Sequence, residues 1–299
     1  MKEIKYDLIC DVTEDFDGMT VKGVLRNSKG ISTRLIRRII HGSGGVFLND
    51  KPVKFVEIVK EGDVIGIKYP EEKSHLEPEN IPLDVLFEDD DMLAINKQPG
   101  LVVHPTKGHP SGTLANGIIY HMNQKAEVYK PRFVNRLDMN TSGVLLVGKN
   151  SHVQNDFFIQ TENNLIEKEY RAIVVGNVAD DSGTIDLPID LEEEGAVKRT
   201  VIETGYPSIT HYEVLERFDK YTFLSVRIET GRTHQIRVHL SHIGYPILGD
   251  SLYGAESELI DRQALHSSSL SFIHIVTKKK LVIEAPLPED MEKALKSLT

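Results

Sequence analysis

The sequence predicts a two-domain protein of the α+β class, in which a small N-terminal α/β module precedes a larger, largely antiparallel mixed-sheet domain. The chain has 299 residues, and domains commonly contain about 100–200 residues. Positions 71–82 are rich in Glu, Pro and Asn and poor in apolar residues, which is typical of a linker. Beyond them, short β-like runs separated by turns outnumber helical segments. We therefore expect a module at 1–70 and a second domain at 83–299.

The composition is that of an ordinary globular chain, with 40% hydrophobic and 27% charged residues. The longest apolar runs have the length of a strand, well below the ~18 residues of a membrane span. Residues 1–10 lack the apolar stretch of a signal peptide. Cys10 is the one cysteine, so no internal disulfide can form, and we expect it to fill a small apolar space. These features predict a cytoplasmic protein with no membrane partner.

The first elements predicted for the N-terminal module are two helices. Apolar residues at helical spacing from Val21 onward indicate the first helix. Ser32 or Thr33 can cap a second helix over Arg34–His41. The apolar side of this second helix is expected to consist of Leu35, Ile36, Ile39 and Ile40.

Strands are predicted after these helices. A hairpin is expected from strands at 46–48 and 53–56 with a turn at 49–52 between them. A second turn, at 61–63, precedes a further strand at 64–67. Two helices followed by short strands make this module α/β.

The second helix of the module carries a basic face. Arg34, Arg37 and Arg38 lie three and four positions apart, so they share one side of the helix. The whole chain has a net charge of -10, but residues 20–68 carry ten basic and four acidic side chains, a local charge of +6. Clustered Lys and Arg are what phosphate binding requires. A solvated helix face is the alternative, and the local charge favours contact of these three arginines with RNA.

The module also resembles a known RNA-binding unit. The segments STRLIRRII, GGVFLNDKPVK and VKEGDVI are similar to the S-four module, which is named for a ribosomal small-subunit protein. The resemblance covers about fifty residues and implies a basic helical face that lies on folded RNA.

The second domain is predicted to contain more strands than helices. Strands are expected at Met92–Asn96, Val144–Val147, Tyr170–Val175, Thr222–Ile228 and Leu281–Ala285. Helices are expected at Thr113–Met122, His152–Gln160 and Thr233–Ile243. Short strands with few helices between them indicate a largely antiparallel α+β domain.

The densest cluster of chemically active residues surrounds Asp138. This carboxylate precedes a buried strand, where a loop residue is held rigidly and stays accessible. Thr141, Ser142 and Gly143 suit a tight turn that brings backbone close to a ligand. For an isolated Arg-Leu-Asp sequence, the alternative is a turn carboxylate that pairs with Arg136.

A second cluster follows the predicted strand at 222–228. Thr233 can cap a helix whose apolar stripe includes Ile236 and Leu240. Arg237 lies beside that stripe and is expected to be partly buried. A partly buried arginine needs a carboxylate partner. A third cluster, Lys168–Ala172, begins the strand that contains Tyr170.

Together these clusters resemble the RluA-type family of RNA pseudouridine synthases. The segments RLDMNTSG, KEYRAIVVG and GRTHQIRVH are similar to three ordered motifs of that family, and QALHSSSLSF and LVIEAPLP are similar to its C-terminal part. The resemblance spans roughly Asp84–Pro288. It implies a pseudouridine synthase catalytic domain that isomerises specific uridines in structured RNA, with no cofactor and no metal.

The resemblance implies roles for individual residues. Asp138 is the expected nucleophile, toward either the sugar or the base. Arg237 is expected to pair with Asp138, to keep it ionised and to orient it. Tyr170 is expected to stack on the uracil and to assist proton transfer. Substrate contacts are expected from Arg136, Thr141 and Leu265.

Two of these contacts have a specific expected form. Arg136 would fill the space that the uridine leaves when it is flipped out of the helix. Leu265 would supply apolar surface on the side of the uracil opposite Tyr170. The sequence departs from the family at Asn135, since the family usually has His before the Arg-Leu-Asp. Asn forms hydrogen bonds but carries no charge.

Two other sites are suggested by the sequence and are rejected. Gly143–Asn150 is close to a P-loop, but its inner residues are apolar and Asn150 replaces the hydroxyl that would bind Mg²⁺. His234, His239 and His242 lack a cysteine or carboxylate that would complete a metal site.

The expected partner is RNA. Large-subunit ribosomal RNA is the expected target because the architecture resembles enzymes that modify it, and transfer RNA is the alternative. A non-catalytic RNA-binding ribosome-assembly protein is the competing function. We expect the protein to be a monomer.

Overall fold

The computed structural model describes residues 6–70, 72, 74–254 and 256–298. Residues 1–5 of the predicted module, 71 and 73 of the predicted linker, and 255 and 299 of the predicted second domain lie outside the described residues. The fold is of the predicted α+β class, with a small N-terminal sheet and a large mixed sheet.

The described part of the N-terminal module contains two helices and a four-stranded antiparallel sheet of order β1-β4-β2-β3. The helices are α1 Val21–Lys29 and α2 Thr33–His41. The strands are β1 Leu8–Asp11, β2 Gly45–Leu48, β3 Lys51–Pro52 and β4 Val64–Lys68. Helices and strands enclose one apolar core, in which Cys10 is 2% exposed, as predicted for a filler residue.

Both predicted helices form where capping and periodicity place them. The Thr20 hydroxyl accepts a hydrogen bond from the Gly23 amide at 3.1 Å. The Ser32 hydroxyl accepts from the Leu35 amide at 3.2 Å, so Ser32 rather than Thr33 caps α2. The prediction for Ile40 was wrong, because it is 55% exposed at the edge of the apolar stripe.

The strands of the module differ from the prediction in two places. Strand β1 was not predicted, because only its pairing with β4 buries it. The predicted strand at 53–56 is replaced by the two-residue β3. The Val53 amide still donates to the Val46 carbonyl of β2, but beyond it the carbonyls of Phe55 and Glu57 accept hydrogen bonds from the first two amides of α1. A helix N-terminus has amides without intrahelical partners, and this segment supplies partners for them.

The second part of the chain is built on a ten-stranded sheet, counted over the described residues. Its strands are β5 Val85–Glu88, β6 Met92–Lys97, β7 Arg132–Phe133, β8 Ser142–Gly148, β9 Glu167–Val175, β10 Ser182–Asp186, β13 Ile209–Arg217, β14 Tyr221–Ile228, β15 Leu265–Ile273 and β16 Lys280–Glu284. A separate pair is formed by β11 Ile189–Leu191 and β12 Arg199–Val201. The helices are α3 Leu114–Gln124, α4 Ser151–Glu162, α5 Gln235–His242 and α6 Glu289–Leu298.

The main path of this sheet runs β10-β13-β14-β9-β15-β8-β6-β5, with β16 paired to β15 and β7 to β8. The five strands and three helices predicted for this domain are all present, with ends shifted by a few residues. Apolar cores cover both faces of the sheet. No helix within the described residues is long and apolar enough to cross a membrane.

One pairing in the large sheet is parallel, and it lies at the centre. Strand β15 runs parallel to β8, with His266 opposite Ser142 and Ser267 opposite Gly143. Gly143 has φ 108°, and a Cβ on it would lie 2.1 Å from the Ser267 carbonyl oxygen. Only glycine fits there. The loop that precedes β8 is therefore fixed directly beside β15.

The P-loop alternative is inconsistent with this fold. Residues 142–148 form a fully buried strand rather than a phosphate-binding loop. The Lys149 ammonium contacts Glu88 at 2.9 Å and Glu127 at 2.9 Å.

Candidate active site

Asp138 lies in the loop between β7 and β8, and its side chain is 27% exposed. The backbone of the loop turns back on itself, since the Thr141 amide donates to the Asp138 carbonyl at 3.1 Å. The Asp138 carboxylate is therefore held at a fixed place and is still open to a ligand.

Arg237, on α5, joins two carboxylates. Its Nη1 donates to Asp138 Oδ2 at 3.1 Å. Its Nε and Nη2 donate to the two oxygens of Asp250 at 2.7 and 2.8 Å. Burial alone would lower the pKa of Arg237, but the hydrogen bonds and charges of Asp250 and Asp138 outweigh burial and raise the pKa. The guanidinium is a permanent cation in a fixed orientation.

Asp250 is a site residue that the sequence interpretation missed. It is 1% exposed and also accepts hydrogen bonds from the amides of Leu252 and Tyr253. The preceding Gly249 has φ 74°, and a Cβ there would lie 2.2 Å from the Arg262 carbonyl oxygen. The available signal was the demand of a buried arginine for a carboxylate, together with an Asp that follows an apolar run and a glycine.

Lys97 is a second missed residue. It is fully buried at the end of β6, and its Nζ donates to the carbonyl oxygens of Gln98 at 2.9 Å and Met139 at 2.7 Å. Burial, with the nearby charge of Arg262, lowers its pKa to about 7, although Asp138 opposes this shift. Lys97 thus fixes the backbone immediately after Asp138.

Arg262 and Gln263, which lie just before β15, support the same loop. Arg262 Nη1 donates to the Asn140 carbonyl at 3.1 Å, and the guanidinium is paired with Asp290 at 2.6 and 2.9 Å. Gln263 Nε2 donates to the Thr141 hydroxyl at 3.2 Å. Thr141 is 2% exposed, and its predicted contact with substrate stays a prediction.

Tyr170 and Leu265 lie on the adjacent strands β9 and β15, in the same apolar core. Both side chains are buried, at 6% and 4% exposure. Burial, reinforced by the charge of Asp138, raises the pKa of Tyr170 to about 12. The phenol is therefore protonated near neutral pH, so it can act as a ring surface and a hydrogen-bond donor.

Arg136 is exposed and does not form the predicted alternative pairing with Asp138. Its Nη2 donates to the Thr233 hydroxyl at 3.2 Å, whereas Asp138 contacts Arg237. The prediction that Thr233 caps α5 was wrong. His234 occupies the cap position in a left-handed conformation and forms no side-chain cap.

Asn135 has a structural function in this fold. Its Nδ2 donates to the Val144 carbonyl at 3.0 Å, and its Oδ1 accepts from the Leu146 amide at 2.8 Å. One amide side chain thus forms the two hydrogen bonds that a paired strand residue would form with β8. Neither bond requires a charge, so Asn can stand where the family usually has His.

The predicted RNA-binding arginines differ in environment. Arg34 and Arg37 are exposed on α2, whereas Arg38 is half-buried and contacts Glu72. Glu72 also contacts Arg132 at the start of β7. Arg34 and Arg37 are therefore free to reach a phosphate, and Arg38 has a carboxylate partner.

The three histidines considered for a metal are dispersed. His239 is buried and contacts the Thr210 hydroxyl and the Leu187 carbonyl, each at 2.9 Å. No group of three or more potential ligands from His, Cys, Asp and Glu occurs in the described part of the chain. The expectation of a reaction without metal or cofactor stays a prediction.

Comparison with known proteins identifies the family. The family described as RNA pseudouridylate synthase matches residues 91–242. The uncharacterized RNA pseudouridine synthase YjbO of Bacillus subtilis is 42% identical over 280 residues, which are 93% of this chain and 99% of that protein. Ribosomal large subunit pseudouridine synthase D of Xanthomonas campestris is 38% identical over 271 residues, 86% of this chain and 82% of that protein.

A solved structure agrees with these sequence comparisons. Human RNA pseudouridylate synthase domain containing 1 is 25% identical and aligns with a TM-score of 0.58 over 75% of this chain and 97% of its own. The chain belongs to the RluA family of RNA pseudouridine synthases and is an isomerase that acts on RNA.

Proposed function

We propose that this enzyme isomerises uridine in large-subunit ribosomal RNA and that Asp138 is its nucleophile. One observation carries the site assignment: Oδ2 of the partly exposed Asp138 is bound by Arg237, which Asp250 orients with two hydrogen bonds. A carboxylate fixed in this way, beside the buried ring of Tyr170, is positioned to attack a substrate without moving first.

The reaction breaks the bond between ribose C1′ and uracil N1, rotates the base, and forms a bond between C1′ and uracil C5. The proton of C5 is lost and N1 gains one, so atoms and charge balance without an external reagent. Asp138 forms the transient covalent bond, to the sugar or to the base. Arg237 keeps its positive charge throughout and stabilises the carboxylate before attack and after release.

Tyr170 and Leu265 form the walls of the uracil site in this proposal. The neutral phenol of Tyr170 supplies a ring for stacking and an O–H that can donate to a carbonyl of the uracil. Because burial and the charge of Asp138 raise its pKa to about 12, Tyr170 is protonated in the resting site, and it can accept the C5 proton only after its own phenolic proton has passed to another acceptor.

Access to the uridine requires base flipping, which costs a few kcal/mol of stacking. Arg136 is exposed and lies two positions before Asp138 in the chain. Its guanidinium can therefore enter the space that the base leaves. The module at 1–70 would bind the surrounding RNA through Arg34 and Arg37, joined by a linker at 71–82 to the catalytic domain at 83–299.

Ribosomal RNA is proposed as the target because several relatives are named ribosomal large subunit pseudouridine synthase D, at 38% identity in one case. Transfer RNA is the alternative substrate. Large-subunit ribosomal RNA would place the enzyme in the cytoplasm of a bacterium, where we propose that it acts as a monomer. A role in ribosome assembly without catalysis would leave the fixed Asp138–Arg237–Asp250 arrangement unexplained.

The test combines a point variant with mapping of pseudouridine. Ribosomal and transfer RNA from a strain lacking the enzyme is incubated with wild-type protein or Asp138→Asn, and pseudouridine is located by chemical labelling. We expect wild-type protein to convert a uridine of large-subunit RNA to pseudouridine, and Asp138→Asn to bind that RNA without modifying it.

A matched control is Asp181→Asn, which removes an 89% exposed carboxylate and should leave modification unchanged. Modification by Asp138→Asn at the wild-type rate would disprove the assignment of the nucleophile. Labelling confined to transfer RNA would replace the proposed target, and no labelling in any RNA would favour the assembly role.

A further inference from the structure

His234 lies next to the proposed nucleophile in an unusual conformation. At the cap of α5 it has φ 59° and ψ 15°, in the left-handed region, and its side chain forms no capping hydrogen bond. Residues other than glycine are uncommon in this region, and such conformations cluster at functional sites. The conformation directs the imidazole away from the helix, toward Asp138 and Tyr253.

A chain of hydrogen bonds orients the His234 ring. The Arg199 amide donates to the Tyr253 hydroxyl oxygen at 2.7 Å. The Tyr253 O–H is then directed to His234 Nδ1, which lies 2.9 Å away. Because the Tyr253 oxygen already accepts the Arg199 N–H, its own O–H is available to Nδ1, and this arrangement corresponds to the tautomer with the ring proton on Nε2.

The surroundings keep this imidazole neutral and in place. Burial lowers the pKa of His234, although the charge of Asp138 opposes the shift. The ring packs edge-on against Tyr253, with 5.5 Å between ring centroids. In the tautomer with Nδ1 as acceptor, Nε2 presents an N–H toward Asp138.

The distance from His234 Nε2 to Asp138 Oδ2 is 3.9 Å. This is too long for a direct hydrogen bond, which needs about 2.7–3.2 Å. An oxygen atom about 2.8 Å from each group would fit between them and complete two hydrogen bonds. One group donates and the other accepts, so the complementary ligand is a hydroxyl, which does both.

We propose that His234 and Asp138 together bind the ribose 2′-hydroxyl of the target nucleotide, with His234 Nε2 as donor and the Asp138 carboxylate as acceptor. This inference rests on the proposed function, because it requires the target ribose at Asp138. Within an RNA chain the 3′ and 5′ oxygens are esterified, and uracil has no hydroxyl. The 2′-hydroxyl is therefore the one group of the nucleotide with this pattern, and its recognition selects RNA over DNA.

The test pairs two substrates with several enzymes. Short RNA stem-loops carry the mapped target position as either uridine or 2′-deoxyuridine. Single-turnover rates are measured by chemical labelling of pseudouridine with wild-type protein, His234→Ala, His234→Gln and Tyr253→Phe. His242→Ala serves as matched control, since His242 is an exposed histidine of the same helix.

We expect wild-type protein to react with the ribose substrate about tenfold faster than with the deoxyribose substrate, the size of one hydrogen bond. Relative to wild-type protein, His234→Ala should react about tenfold more slowly with the ribose substrate and at an unchanged rate with the deoxyribose substrate. His234→Gln retains an N–H donor and should recover part of the rate. Tyr253→Phe keeps the aromatic ring but removes the hydroxyl that contacts His234 Nδ1. The proton of His234 can then occupy either ring nitrogen, so the preference for the ribose substrate should fall.

Equal losses on both substrates for His234→Ala and Tyr253→Phe would overturn the proposal and leave His234 a structural role. The same conclusion follows if wild-type protein does not distinguish the substrates. Asp138→Asn distinguishes failure of the proposed function from failure of the 2′-hydroxyl proposal. An active Asp138→Asn contradicts the proposed nucleophile, whereas an inactive Asp138→Asn with equal losses at His234 contradicts only the 2′-hydroxyl contact.

Discussion

Asp250 accepts hydrogen bonds from Nε and Nη2 of the Arg237 guanidinium, at 2.7 and 2.8 Å. Both side chains are buried, at 1% and 7% exposure. The remaining Nη1 of Arg237 is thereby directed at Asp138, at 3.1 Å. The position of the proposed nucleophile consequently depends on a residue 112 positions later in the chain.

Asp250→Asn should therefore reduce both stability and turnover. The variant leaves the Arg237 charge without its main partner, and breaking a buried ion pair costs about 3–5 kcal/mol. Misorientation of Arg237 should lower kcat about a hundredfold. Urea denaturation and single-turnover assays measure the two effects. Glu292→Gln, which removes an exposed carboxylate paired to Lys296, should change neither by a measurable amount. A fully active and stable Asp250→Asn would show that Arg237 is oriented by other contacts.

Tyr170→Phe and Tyr170→Ala should separate the ring of Tyr170 from its hydroxyl. Phe keeps the stacking surface, so RNA affinity should be unchanged while kcat falls about tenfold to a hundredfold through loss of the O–H. Ala removes the ring and should weaken binding of the flipped base as well. Filter binding and single-turnover rates distinguish the two effects. If Tyr170→Phe turns over at the wild-type rate, Tyr170 contributes only its ring.

Lys97 should give the protein a specific pH dependence of stability. Burial, with the charge of Arg262, lowers the pKa of Lys97 to about 7 in the folded state, whereas an unfolded lysine titrates near ~10.4. Between these values the unfolded state binds the additional proton. The free energy of unfolding should therefore rise with pH from about 7 to about 10, because the folded state no longer has to bury a charge.

The measurement compares wild-type protein with Lys97→Met, which cannot titrate there. The difference in unfolding free energy between the two should grow in favour of wild-type protein by a few kcal/mol from pH 7 to 10. Lys220→Met, which removes an exposed lysine, should follow the wild-type curve. Parallel curves for wild-type protein and Lys97→Met would contradict the lowered pKa.

Asp290 should act on the loop of Asp138 through Arg262. It binds Arg262 at 2.6 and 2.9 Å from the beginning of α6, and Arg262 in turn donates to the Asn140 carbonyl. Asp290→Asn should lower kcat about tenfold with little change in RNA affinity, because only the loop position is disturbed. Lys293→Ala, an exposed change on the same helix, is the control. A fall in affinity without a fall in kcat would be inconsistent with this role.

Arg34 and Arg37 should contribute to RNA binding through phosphate contacts. Replacing both by Ala should weaken binding about tenfold and reduce the slope of log K against log salt by about 2, since each contact releases about one counterion. Filter binding at several salt concentrations gives the slope. Lys293→Ala changes an exposed lysine of α6, outside the N-terminal module, and should leave the slope unchanged. An unaltered slope in the double variant would exclude this face of α2 from the RNA interface.

The sequence by itself determined the local elements and the residue types of the site. Capping at Ser32 and apolar periodicity determine α2, and the apolar run after Gly143 determines β8. Such features arise from contacts over a few residues, so they are readable from a short window. The partly buried position of Arg237 was predictable for the same reason, whereas the importance of Asp138 followed from the resemblance of its motif to a known family.

Tertiary structure alone decided which distant residues meet. Three contacts join segments that are far apart in the chain. They are the parallel pairing of β8 with β15, the hydrogen bond from Arg237 to Asp250, and the approach of His234 to Asp138. The cause is burial: a charge such as Lys97 or Arg237 enters the interior only where the fold supplies partners for it. Residue order does not specify those partners, because they are set by packing of the whole sheet.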